Sequence, residues 1–178
     1  FGGGMLLYGY GPGADAYGSA TERLVNVLLA GNQAYGGSAV YAHHDHENDT
    51  LTILHNTIAS PTPIDSPAVY VLWGTAHITD SIIVNHTTGI QRYDSTVTQD
   101  YNLFFGNTNN TAGSVSGGSH SVVGNPAFVN SAADNYHLPA ASAAINIGAN
   151  VGVTRDFEGQ VRPQRCGFDA GYDESPYS

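Results

Sequence analysis

Short apolar runs opened by a polar residue recur along the first two thirds of the chain. They are Asn26-Val27-Leu28-Leu29, Asn56-Thr57-Ile58-Ala59, Ser81-Ile82-Ile83-Val84 and Asn102-Leu103-Phe104-Phe105, with openings 30, 25 and 21 residues apart. Lead-in stretches precede the later copies at Leu51–Leu54, Ala76–Thr79 and Val97–Asp100. The first two alternate apolar and polar residues, the period of a strand with one buried face. A third slot of small and apolar residues appears at Gly2–Tyr8, Gly37–Tyr41, Ser66–Val71 and Thr88–Gln91. Its markers Met5, Val40, Val69 and Ile90 lie 35, 29 and 21 residues apart. Slots that shorten together belong to one coil with variable loops. The pattern therefore predicts an all-β solenoid, three short parallel strands to a coil, each strand paired with its copy one coil on.

In that arrangement Leu28, Ile58, Ile83 and Phe104 are expected to stack as an interior apolar ladder. Asn26, Asn56, Ser81 and Asn102 are expected to form a structural ladder of side chains at a corner, each amide donating to the next coil. The repeat stops after Asn107. Residues 1–119 are read as the coils, the first of them incomplete because Phe1 opens inside the pattern. Residues 120–178, which have no counterpart in the repeats, are read as an irregular C-terminal cap of the same domain, covering the last open rung.

The tail carries an ordered set of motifs: Gly124-Asn125-Pro126-Ala127-Phe128-Val129, Tyr136-His137-Leu138, Ser142–Gly148, Asp156–Pro163 and Phe168–Glu174. In this order they resemble the C-terminal tail of large secreted bacterial surface proteins, right-handed parallel β-helix repeat proteins of the pectate-lyase-like superfamily. Ala143 stands where that pattern usually has Pro, and Glu158 where it usually has Asp. The resemblance implies a right-handed parallel β-helix, in line with the usual hand of parallel crossovers, and an extracellular or cell-surface location. It implies no activity, because lyases, hydrolases and adhesins share the fold.

Charge narrows the partners. Fifteen acidic residues stand against five Arg and no Lys, a net charge of -10, so no basic stripe can follow a nucleic acid backbone. No apolar run is long enough to span a membrane as a helix. The single Cys166 cannot form an internal disulfide. Twenty-two Gly and only 11% charged residues suit many tight turns between short strands.

Two constellations could carry chemistry. His43, His44, Asp45, His46 and Glu47 crowd imidazole and carboxylate into one loop, a donor set for a divalent cation, calcium or zinc. Alignment on the polar slot puts Val25, His55, Asp80 and Tyr101 in one column, with Asp94 and Asp100 nearby. Polysaccharide-degrading β-helices use carboxylates on successive coils as acid and base or as calcium ligands. His55, Asp80, Asp94 and Asp100 are thus the catalytic candidates, although no Lys is present to act as a base. Tyr93, Tyr101 and Trp73 are candidates for stacking on sugar rings. Three function classes follow: a non-enzymatic structural or adhesive module, able to assemble end to end with other copies and requiring no cofactor; a fragment of a polysaccharide lyase or glycoside hydrolase; and a glycan- or metal-binding module.

Overall fold

The structure, a computed structural model, describes residues 4–9, 19–34, 36–44 and 47–177. Strand β1 (Met5–Gly9) ends one coil, and β2 (Thr21–Val25), β3 (Leu28–Ala30) and β4 (Val40–His44) form the next. Strands β5 (Thr50–Leu54) and β6 (Thr57–Leu72) make a second coil, and β7 (Thr75–Thr79) and β8 (Ile82–Tyr93) a third. A fourth holds β9 (Thr96–Asp100), β10 (Leu103–Phe105) and β11 (Asn109–Ala112); β12 (Ser116–Gly117) and β13 (Val122–Val123) begin another. The chain is an all-β parallel solenoid of about four turns.

The three slots become three ladders. Lead-in strands pair as β2-β5-β7-β9-β12, with Leu51, Ala76 and Val97 in register. The third slot stacks Met5, Val40, Val69 and Ile90 in one column, as the spacing predicts. Strands β6 and β8 each run through the second and third slots, with register shifts between Ala59 and Pro67 where β6 carries extra residues. Inward positions of all three ladders fill one dry core, among them Leu51, Ile53, Ile58, Val69, Ile78, Ile83, Ile90 and Phe104. Rungs of a parallel ladder repeat about every 4.8 Å, so like side chains stack in near contact.

Left-handed residues turn the chain at the corners. Between first and second slots they are Asn26, His55, Asp80 and Tyr101, with φ of 55°, 51°, 53° and 56°. Asn, Asp and His tolerate this region better than most residues. One correction concerns the first copy. Val25 pairs with Leu54, so Asn26, not Val25, shares the column of His55, and the interior position belongs to Leu29, not Leu28. The side-chain ladder accordingly lacks Asn26. Its rungs are Asn56, Ser81, Asn102 and Ser121, whose oxygens accept the backbone N–H of Val27, Asn56, Ser81 and Asn102 at 2.6, 3.2, 2.8 and 3.1 Å. The amides of Asn56 and Asn102 donate to the carbonyls of Leu24 and Ile78 in the preceding coil, rather than to the next coil.

The segment after the repeats starts as a further rung, since Leu103 and Phe104 pair with Val122 and Val123. Val123 continues the inward column of Phe104 yet is 75% exposed, so the described tail leaves this position of the last rung uncovered. Instead it folds back along the flank. Ala170 donates to Ala144, Gly171 to the Asp80 carbonyl at 2.7 Å, and Tyr172 to Thr57 Oγ1. Asn26 in the first full coil donates to the Arg155 carbonyl at 2.7 Å. Tyr136, Leu138, Ala144, Ala170 and Tyr172 thereby bury the outward side chains of the second ladder, Ala59, Ile82, Val84 and Leu103. The approach at residue 171 requires Gly: its φ is +97°, and a Cβ there would stand 2.6 Å from Ile82 Cδ1.

Candidate functional site

The catalytic candidates separate. His55 and Asp80 lie side by side in the corner column, but both are completely buried beneath the tail. Asp94 sits exposed at a different corner, between the third slot and the next lead-in strand, with a left-handed φ of 49°. Asp100 accepts hydrogen bonds from His120 N and Nδ1 and from Tyr101 N, each at 2.9 Å. Burial alone would raise its carboxyl, but those hydrogen bonds from His120 and Tyr101 outweigh it and hold the group below its ordinary value. Tyr101 is stacked on His120 at 4.3 Å between ring centroids, which occupies one ring face. An acid and a base on opposite sides of a glycosidic bond need a shared open cleft. Asp80, Asp94 and Asp100 share none.

The buried corner is a binding site for the chain's own tail. His55 Nδ1 meets the Asp169 carbonyl at 3.2 Å, which assigns its ring proton to Nδ1. His55 Nε2 then faces Asp80 Oδ2 at 3.5 Å, and Asp80 Oδ1 accepts the N–H of Ala149 at 2.8 Å. Burial lowers His55 to about 3, with the charge of Arg162 adding to it, and burial raises Asp80 to about 7 against the Ala149 hydrogen bond. Both directions have one cause: a buried site disfavours either charge, so both groups are neutral between about pH 3 and 7. Next to them Arg162 Nη1 binds Glu174 Oε2 at 2.8 Å and its Nη2 binds the Gly171 carbonyl at 2.8 Å, all side-chain atoms buried. The Arg and acidic residues of the tail are thus structural ties in Arg162 and Glu174, whereas Arg155 closes an exposed turn onto the Gly159 carbonyl.

The His-rich loop is divided between two faces. His44 is buried and turns to Glu22 Oε2 at 3.1 Å, while His43 points outward, edge-on to Trp73 at 5.9 Å between centroids. Adjacent residues of a strand face opposite ways, so these two cannot hold one ion. Asp45 and His46 lie outside the described residues; Glu47 is exposed.

An open surface with binding character is the outside of the third ladder. Tyr41, Tyr70 and Gln91 occupy one outward column, and His43, Leu72 and Tyr93 the next. The rings of Tyr41 and Tyr70 lie 5.5 Å apart at 54°. They line a groove of about 690 Å³ whose far wall is Asp65, Ser66 and Pro67, with Thr87, Thr88 and Gln91 continuing along it. The single Thr87 hydroxyl proton is shared between the Ile64 carbonyl and Asp65 Oδ1, both 3.1 Å from Oγ1, which fixes the wall to the floor. Trp73 and Tyr93, 44% and 59% exposed, extend the aromatic surface. Tyr93 and Trp73 are legible in the sequence as sugar-stacking candidates; Tyr41, Tyr70, Asp65 and Gln91 emerge only from the fold. The signal for them was present in the register, because Tyr41 and Tyr70 each follow a marker residue of the third slot.

Comparison with family models, curated proteins and solved structures finds no match. Among the described residues no helix is long and apolar enough to cross a membrane.

Proposed function

We propose that the chain is a non-enzymatic, extracellular adhesive module that holds neutral polysaccharide along its third ladder. The observation that carries this reading is the groove of about 690 Å³ in which Tyr41 and Tyr70 stand beside Asp65, Thr87 and Gln91. Tyrosine offers an apolar ring for the C–H face of a sugar and a hydroxyl for its edge, at little cost in side-chain freedom. Carboxylate, amide and hydroxyl groups along the same groove match sugar hydroxyls. A stacked solenoid is rigid, so little ordering opposes binding. Net charge of -10 favours a neutral glycan over a polyuronate. The extracellular placement belongs to the proposal and rests on the resemblance of the tail motifs. The candidate carboxylates Asp80, Asp94 and Asp100 share no open cleft, which is why binding is preferred to lyase or hydrolase chemistry.

Affinity electrophoresis of the whole chain through gels containing mannan, xylan, β-glucan or polygalacturonate tests this. At least one neutral polymer is expected to retard the protein, and Tyr70→Ala or Tyr41→Ala to abolish most of the retardation. Retardation by polygalacturonate alone, by no polymer, or unchanged in both variants overturns the reading.

A further inference from the structure

Three segments of the tail converge away from the groove. His137 comes from the Tyr136-His137-Leu138 segment, Glu158 from the turn at 156–160, and Asp173 from the last stretch; one ligand atom from each lies within 4.8 Å of the others. The His137 N–H donates to Asn135 Oδ1 at 3.3 Å, which identifies that atom as the amide oxygen. The same oxygen lies 2.7 Å from His137 Nδ1, so Nδ1 carries the ring proton. In the neutral ring His137 Nε2 then presents a lone pair, and it faces Glu158 Oε1 at 3.3 Å.

Two acceptors facing each other at this distance need an electrophile between them. Asp173 adds a third acceptor. It is 3% exposed, and its Oδ2 accepts the N–H of Leu138 at 2.8 Å. The nearby Asp156 adds a further negative charge, its oxygens already taken by the N–H groups of Glu158, Gln160 and Glu174. A proton on His137 would answer the Glu158 contact only. A divalent cation would answer all three.

We propose that His137, Glu158 and Asp173 form a binding site for a divalent transition cation of the zinc class. One imidazole nitrogen and two carboxylate oxygens are a donor set such ions accept. Ligands about 2.0–2.2 Å from zinc lie roughly 3.4 Å from one another in a tetrahedral shell, close to the 3.3 Å already present between His137 and Glu158. Asn135 supplies the outer-shell contact that fixes the imidazole of a metal-binding His. Phe157 and Tyr172, 4.2 Å apart, wall the site beside the imidazole. The ion would tie the turn at 156–160 and the C-terminal stretch to the segment at 136–138, locking the lateral cover.

Isothermal titration of zinc chloride into chelator-treated full chain, with calcium and magnesium chlorides as contrasts, tests the site. One zinc per chain is expected, with calcium and magnesium binding at least tenfold more weakly. His137→Gln and Glu158→Gln should each weaken zinc at least tenfold, and His43→Gln with His44→Gln should leave it unchanged. Glu158 is exposed, so Glu158→Gln keeps the test valid if His137→Gln loosens the tail. Absence of zinc binding overturns the proposal, as does binding unaffected by both tail variants or binding lost in the His43 and His44 variants.

Discussion

Strands β6 and β8 show two solutions to one problem, because each runs from the second ladder into the third. In their first halves the outward residues are Thr57, Ala59, Ile82 and Val84, and the tail covers them. In their second halves the outward residues are Tyr70, Leu72, Gln91 and Tyr93, and they face solvent in whole or in part. The same backbone is therefore a core element along one stretch and a surface along the next. What differs is side-chain chemistry: small apolar groups have no use for water, while Tyr and Gln can satisfy it at one end. The covered half should thus carry stability and the open half binding.

The largest effect is expected where the cover is fastened. Arg162→Ala leaves Glu174 buried without its ion-pair partner and removes the hydrogen bond to the Gly171 carbonyl. A loss of about 3–5 kcal/mol is expected in urea unfolding, as for other broken buried pairs. A loss under about 1 kcal/mol would mean that the tail contributes little to holding the fold. Next comes a matched pair of truncations. Leu103→Ala, beneath the cover, is expected to cost about 2–5 kcal/mol; Tyr70→Ala, on the open face, should stay within about 0.5 kcal/mol while removing glycan retention. Equal costs at the two sites would erase the distinction between the halves.

The solenoid, its three slots and the column from Met5 to Ile90 were legible because repetition fixes register without help from tertiary contacts. The covered half also has a signal in the sequence. Leu28-Leu29-Ala30, Ile82-Ile83-Val84 and Leu103-Phe104-Phe105 do not alternate, and an unbroken apolar run marks a strand buried on both faces. Something had to lie outside them. The repeat pattern points the tail toward the end of the stack, yet Val123 there is exposed. The misplaced Asn26 has a different cause: Asn suits both the left-handed corner and the adjacent ladder, so residue type could not decide between them. The groove was hidden because its wall comes from the extra residues between Ala59 and Pro67, and loop length alone does not say where a loop folds. The site at His137 depends on three segments distant in sequence, with no spacing to reveal it.

The corner ladder gives a smaller effect. Asn102→Ala orphans the buried Ser81 N–H, a loss of about 1–3 kcal/mol. Asn102→Ser should recover part of it, since Ser81 and Ser121 already accept from the neighbouring coil at 3.2 and 3.1 Å. A serine variant no better than alanine would show that the reach of the amide, and not the presence of an acceptor, holds the rung.

The subtlest prediction concerns pH, and it sets the two neutral partners of the covered corner against each other. Asp80 is raised from 3.8 to about 7, chiefly by burial, so the folded chain binds a proton that the unfolded chain has released. Its contribution to stability is full below about 4 and is lost as pH rises through about 7. His55 is lowered from 6.5 to about 3, again chiefly by burial, so the unfolded chain binds the extra proton. Its contribution is full above about 6.5 and is lost as pH falls toward about 3. Between pH 4 and 6.5 the two slopes oppose and largely cancel within the pair. Separate substitutions should expose them with opposite sign. Relative to the parent chain, Asp80→Asn should gain stability as pH rises from 4 to 7, and His55→Gln should lose it from 4 to 6.5 and then level off. Urea unfolding at half-unit steps from pH 4 to 7.5 reads both trends. If the two variants drift in the same direction, the corner holds a charged pair, and burial under the tail is not what sets its protons.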